Sequence, residues 1–193
     1  MQPYFYTSPV AAALFIGTVI AWRVVDFRQS LRRRSEATGA DRGSLWLLVG
    51  CISFAVVAAI LGLQVRGAAI GFPAVVLTVA LAITWAGIAL RWWAFASLGR
   101  YFTFSVMTSV GQPVVANGPY RLLRHPGYAG LELALIGVGA AFGNWISLAS
   151  LSLIPLVGML ARIRVEESAL STTLGDAYRS YADGRKRLIP FIW

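Results

Sequence analysis

Five apolar runs, each bounded by arginine or by turn residues, leave this chain few ways to fold. They cover about residues Ser8–Val25, Ser44–Leu63, Gly71–Phe95, Pro126–Asn144 and Trp145–Arg162. Runs of this length and polarity cannot all be buried in a core made by 193 residues, 58% of them hydrophobic, at a mean hydropathy of +0.68. They belong in lipid, where backbone polar groups must find partners inside their own segment, so each run is expected to be a helix. The expected fold class is therefore an all-α integral membrane protein with five transmembrane helices. The Asn144-Trp145 junction leaves almost no loop, which makes helices four and five a tight antiparallel hairpin. Gly137, Gly139 and Gly143 are expected to let their backbones approach, and Pro155 to bend helix five.

The arginines set the orientation. Counting helix-end residues with their loops, all but one of the seventeen Lys and Arg residues lie in three places: after helix one, between helices three and four, and beyond helix five. Arg66 is the exception. Basic loops stay in the cytoplasm, so the N-terminus is expected outside and the C-terminus inside. The first apolar run has no basic residues before it, so it reads as a span rather than a cleavable signal. The net charge of +9 is read as anchors facing anionic lipid headgroups, not as a nucleic-acid surface, since no nucleic-acid-binding motif accompanies it. Arg91, Trp92 and Trp93 read as a belt closing helix three, with Arg91 snorkelling, and Trp85 as core. Beyond Arg162 the residues Leu170, Leu174, Tyr178 and Tyr181 form a stripe at helical spacing, expected to be a cytoplasmic amphipathic helix ending at Gly184. Residues 1–193 form one membrane domain, with three spans in 1–96 and a second half in 97–193. Cys51, the single cysteine, lies in an apolar run and is read as packing.

Chemistry concentrates between Gly118 and Gly130, a stretch reading Gly-Pro-Tyr-Arg-Leu-Leu-Arg-His-Pro-Gly-Tyr-Ala-Gly. It holds the one histidine of the protein. Pro126 suits the first turn of a helix, where its missing N–H costs nothing. His125, Tyr128 and Glu132 then follow at spacings of three and four, on one face. The hairpin returns the chain to the side it left, so Arg162 and Glu166 are expected beside His125 and Tyr128. Cations, an imidazole, tyrosines and a carboxylate at a membrane edge suit S-adenosylmethionine, whose methionine end is a zwitterion. No Gly-x-Gly-x-x-Gly follows a strand, so a soluble-type dinucleotide site is excluded. No metal is expected, because one histidine without a cysteine partner is a poor ligand set.

Arg124-His125-Pro126-Gly127-Tyr128 resembles the Arg-His-Pro-x-Tyr signature of the isoprenylcysteine carboxyl methyltransferase family, with Gly118 to Tyr120 as its lead-in. A second signature of that family is similar to Arg162, Glu166-Glu167, Leu174-Gly175, Tyr178, Tyr181 and Arg187-Leu188-Ile189-Pro190. The resemblance covers roughly residues 99 to 193. It implies a membrane enzyme that transfers a methyl group from S-adenosylmethionine to the carboxylate of a lipophilic, prenylated acceptor. By the same resemblance Tyr120, His125, Pro126, Gly127, Tyr128 and Glu166 hold the cofactor, Gln112 to Val115 touch it, and Arg162 meets the acceptor carboxylate as the catalytic residue. Glu132 departs from the family pattern, in which this position is usually apolar. It reads either as an ion-pair partner of Arg91 or Arg162 or as a substrate-binding residue. Competing readings are a phospholipid N-methyltransferase, an NADPH-dependent sterol or steroid reductase of related topology, and a non-enzymatic membrane scaffold or transporter subunit. The preference for arginine over lysine suggests a GC-rich bacterial genome. The expected location is therefore a bacterial cell membrane, with the site facing the cytoplasm and membrane lipid around it.

Overall fold

Proline, glycine and asparagine decide where the apolar runs start and stop. The computed structural model describes residues 3–30, 43–99 and 114–189. Within them lie six α-helices: α1 (Pro9–Ser30), α2 (Ser44–Gly62), α3 (Pro73–Leu98), α4 (Pro126–Ala141), α5 (Trp145–Leu174) and α6 (Asp176–Ala182). No strand occurs among these residues. Pro9, Pro73 and Pro126 each occupy a first helical position, where the lost N–H had no intrahelical partner. Asn144 starts α5: its side-chain oxygen accepts from the N–H groups of Ile146 and Ser147 at 2.9 and 3.2 Å. Its amide donates to the Gly62 carbonyl at 3.1 Å, pinning the end of α2 to the hairpin. Gly143, at φ +63°, makes the turn from α4 into α5, so the tight hairpin is present.

Helices α1 (over Pro9–Arg28), α2, α3 and α5 are long and apolar enough to cross a membrane. Leu14, Phe54, Val57, Val79, Leu153 and Val157 point outward and are exposed, an apolar exterior suited to lipid. Helix α4 is apolar but has 16 residues, about 24 Å, against about 30 Å of hydrocarbon. It stops before Asn144 because Phe142, Gly143 and Asn144 are spent on the turn. Helix α5 differs from expectation in the other direction. Its 30 residues continue unbroken past Pro155 and Arg162 to Leu174, so the membrane part and the amphipathic part are one rod. Gly175, at φ +55°, ends it, and α6 is a separate short helix that finishes at Ala182.

The core sits between α1 to α5 and includes Trp22, Leu48, Ile88, Leu131, Leu135, Leu151 and Met159. Helices α3 and α4 meet backbone to backbone. A Cβ on Gly130 would stand 2.6 Å from the Arg91 nitrogen, and one on Gly137 would stand 2.6 Å from the Thr84 nitrogen. Gly137 thus serves α3 rather than the hairpin. Gly139 is the hairpin's own contact, where a Cβ would meet the Leu148 Cα at 3.0 Å.

Two readings of α3 need correction. Arg91 does not snorkel; it is 7% exposed. Its Nε pairs with Asp26 of α1 at 2.9 Å, its Nη1 donates to the Gly127 carbonyl at 2.8 Å, and its guanidinium lies over the Phe95 ring. Paired and hydrogen-bonded inside, it gains more than by reaching for water. Trp85 is half exposed instead of core, with its indole N–H donated to the Thr18 hydroxyl at 3.1 Å.

Gly130→Ala should push α4 off α3 and lower stability by about 1–3 kcal/mol, read as a lower Tm in detergent. Gly17→Ala, which meets nothing within 4 Å, should leave Tm unchanged or slightly higher. Equal shifts in the two variants would contradict the close helix contact.

Candidate active site

The site begins with a short 3-10 turn, Gly118–Arg121, that carries the chain toward α4. Gly118 holds φ +54°, and a Cβ there would run into the Ser97 hydroxyl, so glycine is required twice over. Tyr120 is buried in a cluster with Ala94, Tyr178 and Tyr181, against which Val114 and Val115 pack. The Tyr181 hydroxyl donates to the carbonyls of Tyr120 and Leu123 at 3.0 and 3.3 Å. Burial pushes that phenol up to about 12, so it remains a donor at neutral pH. Residues 185–187 close the turn from the other side. The Arg124 N–H donates to the Lys186 carbonyl at 2.8 Å and the His125 N–H to the Arg187 carbonyl at 3.1 Å.

His125 precedes α4, with its ring turned to two glutamates of α5. Nδ1 lies 3.6 Å from Glu166 Oε2, and Nε2 lies 3.3 Å from Glu167 Oε1. Pro126 is fully buried beneath it. Glu166 and Glu167 are neighbours on one helix, about 100° apart, so they serve different partners. Glu166 accepts the Tyr128 hydroxyl, and Tyr128 in turn accepts from Arg162 Nε at 2.6 Å. Arg162 is 2% exposed; its Nε is 3.4 Å from Glu166 Oε1 and its Nη1 donates to Ser44 of α2 at 3.2 Å. Glu167 receives Arg124 Nη1 at 3.1 Å on Oε1, and Arg187 Nε and Nη2 at 3.0 and 2.9 Å on Oε2.

Tyr120, His125, Pro126, Gly127, Tyr128, Arg162 and Glu166 therefore stand around one end of the helix bundle. Val115 borders it through the tyrosine cluster. Gln112 lies outside the described residues. Glu132 is on the face of Tyr128, one turn further into α4, but its expected ion pair with Arg91 or Arg162 is not there. Its Oε2 is buried without a hydrogen-bond partner among the described residues. Sequence reasoning missed the roles of Glu167 and Arg91. The double glutamate was visible, but which oxygen faces which cation depends on α5 continuing unbroken through 166 and 167.

Burial alone would lower the pKa of His125, but hydrogen bonds and attraction from Glu166 and Glu167 outweigh it and hold the value above the ordinary 6.5. The folded value exceeds the unfolded one. The imidazolium therefore contributes stability in full below about pH 6.5, and this is lost as pH rises through the raised value. Because the chain has one histidine, its imidazole signal can be titrated by NMR without assignment. We expect a midpoint above 6.5, moved down by Glu167→Gln. A midpoint at or below 6.5 in the unaltered protein would contradict the double carboxylate contact.

Comparison with known proteins adds to this geometry. The sequence model of the Isoprenylcysteine carboxyl methyltransferase (ICMT) family matches residues 78–172. The chain is 30% identical over 101 residues to the uncharacterized protein YpbQ of Bacillus subtilis, a match covering 52% of this chain and 55% of that one. It is 32% identical over 112 residues to protein-S-isoprenylcysteine O-methyltransferase of Schizosaccharomyces pombe, covering 51% and 48%. The chain thus spans about half the length of these relatives. In three dimensions it matches the eukaryotic intramembrane Ras methyltransferase ICMT with a TM-score of 0.63 and 26% identity, over 72% of this chain and 52% of that one. The family model thus matches the stretch from α3 through nearly all of α5, and the relatives and the solved structure show the chain to be similar to isoprenylcysteine carboxyl methyltransferases.

Proposed function

We propose that this protein is a membrane carboxyl O-methyltransferase that uses S-adenosylmethionine and acts on a lipophilic acid of the prenylcysteine kind. The observation that carries this reading is the buried Arg162 joined through Tyr128 to Glu166 and His125, inside the region shared with the methyltransferase family.

The donor set fits the cofactor. Glu166 is a largely buried carboxylate beside a cationic imidazole and a guanidinium, a pairing of charges that suits a zwitterionic methionine end. His125, Tyr128 and Glu166 would hold that end, with Pro126 and Gly127 shaping the backbone beneath it. Tyr120 and Val115 would contribute an apolar wall for the adenine, with Gln112 on the segment that leads into it. S-adenosylmethionine, when bound, supplies a methyl group already activated on a sulfonium.

What remains for the chain is positioning and exclusion of water. Arg162, permanently charged and sheltered, holds the acceptor carboxylate and fixes the direction in which an oxygen lone pair is presented. A carboxylate is already ionised at neutral pH, so no side chain needs to remove a proton. Ser44 and Tyr128 keep the guanidinium from swinging toward water. An amine acceptor would place a second cation against Arg162, which disfavours phospholipid N-methylation.

The reading includes five spans, with α4 crossing as the short member of the hairpin, and a bacterial cell membrane with the site on the cytoplasmic face. The basic residues at the site end of α4 and α5 support that orientation. A reporter fused after Trp193 should behave as cytoplasmic and one near Arg66 as external; the reverse would overturn it.

Calorimetry with S-adenosylhomocysteine tests the cofactor site. His125→Ala and Glu166→Ala should each weaken binding about tenfold or more, since each removes a charged hydrogen bond worth about 1.5–3 kcal/mol. Undiminished affinity in both folded variants would reject the pocket. Arg162→Ala should keep most of the affinity while abolishing methylation of a farnesylated cysteine analogue. Arg162→Lys should restore little, because a point charge does not reproduce the planar fork. Full activity in the alanine variant would remove Arg162 from the reaction.

A further inference from the structure

Glu132 is a polar group near the site that the reaction above does not use. It lies four residues beyond Tyr128 on α4, so both side chains share a face and Glu132 sits about 6 Å deeper. Its neighbours on that face are informative. Tyr128 packs against the central core and Leu135 is buried in it, together with Leu48 of α2 and Met159 of α5. Glu132 falls between them along the helix and is partly buried. Its Oε2 is buried and unpartnered among the described residues. The two cations expected to pair with it are engaged with other groups: Arg91 with Asp26 and the Gly127 carbonyl, Arg162 with Tyr128, Ser44 and Glu166.

A carboxylate at membrane depth without a partner is costly, and the cost is removed by a cation that arrives with a ligand. Arg162 stands about one turn nearer the site end, on the other arm of the hairpin. A ligand whose carboxylate reaches Arg162 and whose neighbouring atoms carry a positive charge would satisfy both residues at once. An α-amino acid has that arrangement, with its ammonium one carbon from the carboxylate. A lipid acid without nitrogen, or one with its nitrogen acylated, would leave Glu132 bare.

We propose that Glu132 selects acceptors that carry a free ammonium beside the carboxylate, so that the preferred substrate class is an S-lipidated amino acid with an unblocked amino group. This rests on the carboxyl methyltransferase reading above and narrows its acceptor. Glu132 acts on binding and discrimination; the transferred methyl and the attacking oxygen are untouched by it.

The test compares three acceptors in a maltoside detergent, which has no ammonium of its own: S-farnesylcysteine, N-acetyl-S-farnesylcysteine and S-farnesylthiopropionic acid. The unaltered protein should favour the free amine by at least tenfold in kcat/KM over both others. Glu132→Gln and Glu132→Leu should each collapse that ratio toward one, chiefly through KM for S-farnesylcysteine. Glu132→Gln keeps the shape of the side chain, so a folding failure in the leucine variant leaves the answer intact. If the unaltered protein methylates the three acceptors equally, or if the ratio survives both substitutions, the inference is wrong while the carboxyl methyltransferase reading stands. If none of the three is methylated although S-adenosylhomocysteine binds, the carboxylate-acceptor reading fails and this inference fails with it. Added phosphatidylethanolamine tests the other source of an ammonium. Competition by it against S-farnesylcysteine, lost in Glu132→Gln, would assign Glu132 to lipid headgroups and overturn the proposal.

Discussion

The site depends on Glu167 more than on any other side chain. One carboxylate takes Arg124 from the turn before α4, His125 from the start of α4 and Arg187 from the segment after α6. These three cations would repel one another without it, and each belongs to a different piece of chain. Glu167 is therefore the point at which the turn, the membrane hairpin and residues 185–187 become one object. Backbone hydrogen bonds from Arg124 and His125 to residues 186 and 187 reinforce the same closure. Glu166, one residue earlier, is left facing Tyr128 and Arg162, where a ligand could replace its contacts. The adjacent glutamates divide the work: one holds the walls together and the other faces Tyr128 and Arg162.

The unbroken length of α5 makes this possible. A helix that ended at the membrane surface and restarted beyond Arg162 would leave the phase of Glu166 and Glu167 to a loop. Instead the same rod that packs Leu151 and Met159 into the core carries Arg162, Glu166 and Glu167 at fixed angles beyond it. Precision at the site is inherited from packing in the membrane. The glycine contacts between α3 and α4 do the same for the other wall, because Arg91 on α3 reaches the Gly127 carbonyl only when the two backbones nearly touch.

Much of this was legible in the residues. Apolar length gave the helices, Pro126 gave the start of α4, and Asn144-Trp145 gave the hairpin. The spacing of His125, Tyr128, Arg162 and Glu166 placed them together. What could not be read was pairing. Arg91 beside two tryptophans has the composition of an interfacial anchor, and its partner Asp26 is 65 residues away. Nothing local distinguishes a snorkelling arginine from a buried one. One of the two readings of Glu132 likewise gave it Arg91 or Arg162, which are paired with other groups. The end of α4 was misplaced by three residues because Phe142 and Gly143 continue the apolar pattern while Asn144 claims the turn. Pattern reports which residues avoid water, whereas pairing reports which residues find each other, and distance in sequence hides the second.

The burial of Arg162 has a consequence for turnover. Its charge is fixed, and at 2% exposure little water competes for it, so in the role proposed for it Arg162 would grip an anionic acid strongly. On the proposed reaction, esterification extinguishes the acceptor's charge and leaves a neutral carbonyl in the same place. The attraction that loads the site therefore vanishes with the chemistry itself. The lipid tail of the ester is as comfortable in the surrounding lipid as between the helices. Release then needs no moving lid: the ester drifts out sideways, and the next acid is drawn in by the cation left behind.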